Sequence, residues 1–128
     1  MIKVSVAIIE KNEQILLCQR KRNSKYALKW EFPGGKVKEN ESLEECLKRE
    51  LKEELNIGVE VGEKILTKVN VYSDGGIFEV SYFLIDSYRG KIRNKIFEKI
   101  IWAYISEIFT LDFLEGNEEM INILYEKR

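Results

Sequence analysis

The stretch that decides the fold is Gly35-Lys36-Val37-Lys38-Glu39-Asn40-Glu41-Ser42-Leu43-Glu44-Glu45-Cys46-Leu47-Lys48-Arg49-Glu50-Leu51-Lys52-Glu53-Glu54-Leu55-Asn56-Ile57. Ser42 with Glu45 three residues on fits a capping box, and Leu43, Cys46, Leu47, Leu51 and Leu55 recur at helical spacing. A helix over Ser42 to Leu55 follows, with Asn56 placed to close it in the left-handed conformation. At roughly 100° per residue, measured from Leu43, the apolar arc runs from Cys46 at about 300° through Leu47 to Leu55 at about 120°. Glu50 at about 340° and Glu54 at about 20° fall inside that arc, and Glu53 at about 280° lies at its edge. Three carboxylates therefore project together from the side that should face the protein body. Left alone they would repel, and a buried one would protonate. A hard divalent cation removes both problems, since magnesium takes oxygen ligands and often shares few carboxylates with substrate phosphates. The plainer alternative is a solvated helix laced by the Glu44/Lys48 and Glu45/Arg49 pairs.

Just before the helix, Gly34-Gly35 lets the backbone approach a ligand closely and offers carbonyls to a metal, and Lys36 is placed to meet a phosphate. Further out, Lys3 to Glu10 and Ile15 to Arg20 read as a β-hairpin about Lys11-Asn12-Glu13. Lys21 to Lys29 is a basic loop, ended by Trp30-Glu31-Phe32 and the chain's one proline, Pro33. Val59 to Tyr72 and Ile77 to Tyr88 alternate as strands around the turn Ser73-Asp74-Gly75-Gly76. Lys99 to Ile105 is a further strand, and Glu118 to Glu126 a C-terminal helix with Met120, Ile121 and Leu124 inward. The order β-β-α-β-β-β-α implies an α/β fold in one domain spanning residues 1–128, a mixed sheet with helices against it.

Composition narrows the chemistry. Apolar residues at 45% and charged ones at 34% describe a globular chain. There is no histidine, which excludes serine–histidine and cysteine–histidine nucleophile pairs and histidine-ligated zinc. Acid–base and metal chemistry must then run on carboxylates, lysines or tyrosines. A net charge of −1 argues against a nucleic-acid polymer or an anionic membrane as partner. A small polyanion remains open, because a cation can supply the missing charge. Cys18 and Cys46 sit in apolar patterns and read as buried free thiols. Met1-Ile2-Lys3-Val4 runs straight into a strand pattern, and a reducing cytoplasm is the expected location.

The spacing Gly35, Glu41, Arg49-Glu50-Leu51, Glu53-Glu54 and Asn56-Ile57 resembles the Nudix box, with Asn56 where the family has glycine. Asparagine tolerates the same left-handed backbone, so the change reads as benign. Trp30-Glu31-Phe32-Pro33-Gly34-Gly35-Lys36 is similar to the MutT-like branch. The resemblance implies a Nudix fold, a mixed β-sheet sandwiched between α-helices, and hydrolysis of a nucleoside triphosphate to monophosphate and pyrophosphate. It implies Mg2+, with Mn2+ able to substitute, held by Glu50, Glu53, Glu54 and the carbonyl of Gly34. Glu53 is then the residue to orient or deprotonate the attacking water, with Arg49 holding a glutamate in place and Glu41 anchoring the helix start. A further acidic ligand of many relatives falls here on Ile96, and Glu98 is the residue offered in its stead. Substrate contacts are implied at Arg20, Glu31, Phe32, Lys36 and Asn117.

Asn117 has two readings, recognition of a purine base or the start of the last helix. Trp30 and Phe78 likewise divide between stacking on a base and filling the core. Oxidised dGTP is the first expected substrate and a cytosine nucleotide the second, acted on by a monomer or homodimer. Two further classes compete: a catalytically silent nucleotide sensor, and a structural domain with a salt-bridged helix. Retention of all three box glutamates disfavours the first, and glutamates inside an apolar arc disfavour the second.

Overall fold

Strand β1 (Ile2–Ile8) shows why this chain needs helices on two sides: Val6 and Ile8 point to one buried cluster, Ala7 and the following Ile9 to another. β3 (Gln14–Gln19) does the same, with Ile15 and Leu17 on one side and Leu16 and Cys18 on the other. Near-continuous apolar strands of this kind are buried on both faces. The computed structural model describes residues 1–127. In chain order the remaining elements are β2 (Glu10–Lys11), β4 (Trp30–Glu31), β5 (Gly34–Lys36), α1 (Leu43–Leu55), β6 (Gly58–Val71), β7 (Ile77–Arg89), β8 (Lys99–Tyr104), α2 (Ile105–Ile108) and α3 (Glu118–Glu126).

Among the described residues the strands form two four-stranded sheets. One runs β5-β1-β7-β6 and is mixed, since β1 pairs parallel with β7 and antiparallel with β5. The other joins β2, β3, β4 and β8. This corrects the expected hairpin. β1 and β3 belong to different sheets, and only β2, past Ile9, turns back onto β3. A strand buried on both faces can pass between two sheets, which an alternation pattern in one hairpin cannot express. The Gly34-Gly35 segment, read as a loop, is the short strand β5 paired with β1. α2 had no signal of its own in the sequence, being a single turn at the end of β8.

α1 has the expected limits. Glu45 N donates to Ser42 Oγ at 3.0 Å and Ser42 N to Glu45 Oε1 at 2.8 Å, and Asn56 ends the helix at φ 64°, ψ 31°. Leu47, Leu51 and Leu55 are buried against Ile57, Val59 and Phe83, and Cys46 is buried with its Sγ 3.5 Å from the Gly35 and Lys36 carbonyls. Each such leucine contributes about 1.5–3 kcal/mol by leaving water, so Leu51→Ala should cost about 2–5 kcal/mol once the cavity is counted. Arg93 N and Lys95 N donate to the carbonyls of Leu55 and Glu54, so the 90–98 segment covers the end of α1. On the opposite face, α2 and α3 bury Ile105, Ile108, Met120, Ile121 and Leu124 beside Val80 and Tyr82. Both cysteines are free and buried, as expected. No described helix is long and apolar enough to cross a membrane.

Candidate active site

Between the two sheets, at the end where α1 meets β5, lies a cavity of about 570 Å³. Its floor is acidic, with Glu31, Glu50 and Glu54 in the wall, and Arg20, Lys21, Lys25 and Lys36 form a basic side. Tyr72, Phe78, Tyr82 and Asn117 make the far, aromatic end. Such a graded lining suits an elongated ligand with an anionic part and a flat apolar part.

Two glycines make the floor possible. Gly34 lies against the backbone of Ser5 and Val6, at φ +155°, where any Cβ would strike the Ser5 carbonyl. At Gly35 a Cβ would occupy the space filled by the Glu50 carboxylate. The helix wheel is thus realised for Glu50 and Glu54, which both face the cavity from α1. Glu54 Oε1 is buried and has no hydrogen-bond partner among the described residues. Burial first, and the Glu50 carboxylate second, push the Glu54 carboxyl up to about 9. Glu31 is also pushed up, by burial, against the pull of Arg20.

Arg49 stands behind this floor. Its Nη1 donates to Glu50 Oε1 at 2.8 Å, and Nε and Nη2 donate to Glu41 Oε2 and Oε1 at 2.6 and 2.9 Å. Nη2 also reaches the Lys36 carbonyl at 3.1 Å, tying α1 to β5. Arg49 therefore aims Glu50 and does not line the cavity. Glu41 grips Arg49 and the Lys38 N–H, so it anchors the loop before the helix through that arginine.

The expected trio of carboxylates does not converge. Glu53 stays 56% exposed with Arg49 Nη1 at 3.4 Å, because its place at the edge of the apolar arc turns it to solvent. Among the described residues no group of three or more potential ligand side chains forms a cage. What is present still fits a hard cation: an orphaned, buried carboxylate oxygen on Glu54, the adjacent Glu50, and a side-chain-free backbone at Gly34 and Gly35. An open pair of carboxylates is what magnesium uses when phosphates complete its shell.

The remaining residues divide. Arg20 lines the cavity with Nη1 at 3.4 Å from both Glu31 carboxylate oxygens, and its Nε donates to the Lys25 carbonyl at 2.7 Å. Phe32 is 4% exposed and forms the back wall, tilted on Phe113 at 5.1 Å. Trp30 packs on the core side, while Phe78 faces the cavity. Glu98 is not brought into the acidic floor: its carboxylate accepts from Arg22 Nη2 at 3.2 Å and from the Arg22 N–H. Ile96, the position it was offered to replace, does line the cavity.

Asn117 stands at the start of α3, where its carbonyl accepts from Ile121 N at 3.0 Å, so the helix-start reading holds for its backbone. Its side chain makes no helix cap; Oδ1 accepts from Tyr82 Oη at 2.7 Å and Nδ2 donates to the Leu114 carbonyl at 2.8 Å. The residue is 7% exposed and lines the cavity. Tyr26, Tyr72 and Tyr82 were missed as site residues. Tyr82 had a signal, the inward phase of β7, but Tyr26 sits in a loop without periodicity.

The NUDIX domain model matches residues 1–123. The chain is 38% identical over 103 residues to the CTP pyrophosphohydrolase of Escherichia coli K12, covering 80% of this chain and 76% of that protein. It is 36% identical over 130 residues to the 8-oxo-dGTP diphosphatase of Buchnera aphidicola subsp. Schizaphis graminum, covering 91% and 87%. The solution structure of the E. coli ORF135 protein superposes with a TM-score of 0.84 at 32% identity, covering 95% of this chain and 86% of that one.

Proposed function

From the premise that this chain belongs to the NUDIX family and is a Nudix hydrolase, we propose that it converts a nucleoside triphosphate and water to the monophosphate and pyrophosphate. The observation that carries this is the unpartnered, buried oxygen of Glu54 beside Glu50, facing a cavity whose opposite side is basic.

In this reading Glu50, Glu54 and the carbonyl of Gly34 hold Mg2+, for which Mn2+ can substitute. The bound cation supplies neutralisation of the phosphate chain and a lowered pKa for water. Arg49 keeps Glu50 in its rotamer from behind, and Glu41 keeps Arg49. Glu53, open to solvent at the end of the acidic row, takes the proton of the attacking water as its oxygen bonds to phosphorus and the phosphoanhydride bond breaks. Arg20 and Lys36 receive the phosphates. Phe78 and Tyr72 offer ring faces to the base, and Asn117, oriented by Tyr82, addresses its edge. Glu31, paired with Arg20, fixes that arginine over the floor.

Oxidised dGTP is the leading substrate, in keeping with the Buchnera relative and with an amide at the base end. A cytosine nucleotide is the second reading. The specific observation for it is that both ends of the Asn117 amide are already bonded, which leaves less of it for a purine, and the CTP pyrophosphohydrolase relative agrees. The two buried free thiols fit a cytoplasmic setting. Comparing kcat/KM over canonical and oxidised nucleotides with magnesium separates the two: a preference for 8-oxo-dGTP over dGTP supports the first, a preference for CTP the second. Tight binding with no turnover of any nucleotide would contradict both.

A further inference from the structure

The basic loop of residues 21–29 forms one wall of the cavity through Lys21, Ser24, Lys25 and Tyr26. Its base is fixed locally, by Arg20 N to the Lys29 carbonyl and by Arg20 Nε to the Lys25 carbonyl. On the aromatic side of the mouth it is fixed by one carboxylate. Tyr26 Oη donates to Asp74 Oδ2 at 2.6 Å, and Lys25 Nζ lies 2.9 Å from the same oxygen. Tyr26 also stands edge-on to Tyr72 at 5.4 Å, and Tyr72 leans on Phe78 at 5.0 Å, so three rings continue the wall.

Asp74 belongs to the β6–β7 turn and does not itself line the cavity. Its other oxygen accepts from Gly76 N at 3.0 Å, which orients the carboxylate within the turn. The turn is held in place in its own right, since Ser73 N and Oγ both donate to Glu115 Oε1 at 3.0 Å. The loop it catches is under tension. Tyr26 and Leu28 adopt φ of 59° and 60°, a left-handed conformation unfavourable for bulky residues. Arg22 is held separately by Glu98, so it is on the mouth side, around Lys25 and Tyr26, that the strained loop depends on the Asp74 acceptor and tends to open when it is lost.

We propose that Asp74 is a positioning residue for substrate binding, holding Tyr26 and Lys25 so that the 21–29 loop closes the cavity wall beside the nucleotide. This rests on the proposed function for its substrate. Asp74 touches no part of the catalytic floor, so its loss weakens binding without touching the chemistry.

Asp74→Asn tests this on the full chain with two readouts. The first is limited trypsin digestion without nucleotide, followed by mass spectrometry of cuts after Lys21, Arg22 and Lys25. The second is steady-state kinetics with the preferred nucleoside triphosphate. The loop cuts should come about three- to tenfold faster in the variant, and KM should rise by a similar factor with kcat retained, the range for an ordinary solvent-screened hydrogen bond. Tyr26→Phe, which removes only the hydroxyl, should speed the same cuts. Digestion at the wild-type rate, an unchanged KM, or a fall in kcat at constant KM would each overturn the proposal. If wild-type protein hydrolyses no nucleotide, the functional reading fails, while the digestion ratio still decides whether Asp74 holds the loop.

Discussion

Arg49 and Glu41 meet as two forks, Nε to Oε2 at 2.6 Å and Nη2 to Oε1 at 2.9 Å, across the loop that leads into α1. The pairing pushes the Glu41 carboxyl down to about 2, through the Arg49 hydrogen bonds first and the Lys38 N–H second. An unfolded glutamate titrates near about 4.3, so between these values the unfolded chain binds more protons than the folded one. The contribution is present above about pH 4.3 and is lost as pH falls toward 2. Melting temperatures from pH 7 to pH 2.5 should therefore fall less steeply in Glu41→Gln than in wild type. Parallel acid slopes would show that the pair carries no such linkage.

Arg49→Lys keeps the charge and loses the fork. A lysine cannot hold Glu41 with two parallel bonds and still donate to Glu50 and the Lys36 carbonyl. With Glu50 released, kcat should fall by on the order of tenfold or more, the effect of disturbing a preorganised charge, with a smaller change in KM. Steady-state kinetics on folded protein checks this, and a wild-type kcat would show that Glu50 needs no support.

Glu54 titrates the opposite way to Glu41. Its carboxyl is pushed up to about 9 by burial and by Glu50, so the folded state holds the proton more tightly. Stability from this group is full below about pH 4.3 and declines as pH rises toward 9. A cation competes for the same site and binds better once the proton is gone. The rise in melting temperature on adding magnesium should thus grow between pH 6 and pH 9, and Glu54→Gln should show little rise at any pH. A magnesium effect that is constant with pH, or retained in the variant, would place the ion elsewhere.

The bond from Tyr82 Oη to Asn117 Oδ1 is buried, so removing one partner strands the other. Asn117→Ala should lower stability by about 1–3 kcal/mol for that reason, and Tyr82→Phe should do likewise. The double variant should lose less than the sum, as coupled neighbours do. If Asn117 addresses an oxidised purine, Asn117→Ala and the double variant should both lose the preference for 8-oxo-dGTP over dGTP. Equal losses for both nucleotides would favour the cytosine reading.

How far the chain could be read in advance depended on periodicity. α1 was legible from cap to cap, because Ser42, Glu45 and Asn56 act locally and Leu47, Leu51 and Leu55 mark one face. That same face disclosed Glu50 and Glu54 as acids out of place. For Glu53 the wheel left the direction open, since an edge position can turn inward or to solvent, and here the side chain is 56% exposed. The separation of β1 from β3 into two sheets was invisible, because both strands are apolar on both faces and neither face names its partner. The linkage of Tyr26 to Asp74 joins two loops far apart in sequence, and Glu98 meets Arg22 in the same way. No short-range pattern encodes such pairs.

In the proposed function the Glu50–Glu54 floor serves a metal-assisted hydrolysis of a nucleoside triphosphate. Product analysis of a nucleotide panel, with magnesium and with excess EDTA, tests it most directly. One monophosphate and one pyrophosphate should appear per nucleotide consumed in magnesium, with no turnover in EDTA. Equal turnover in both, or release of inorganic phosphate without pyrophosphate, would contradict it.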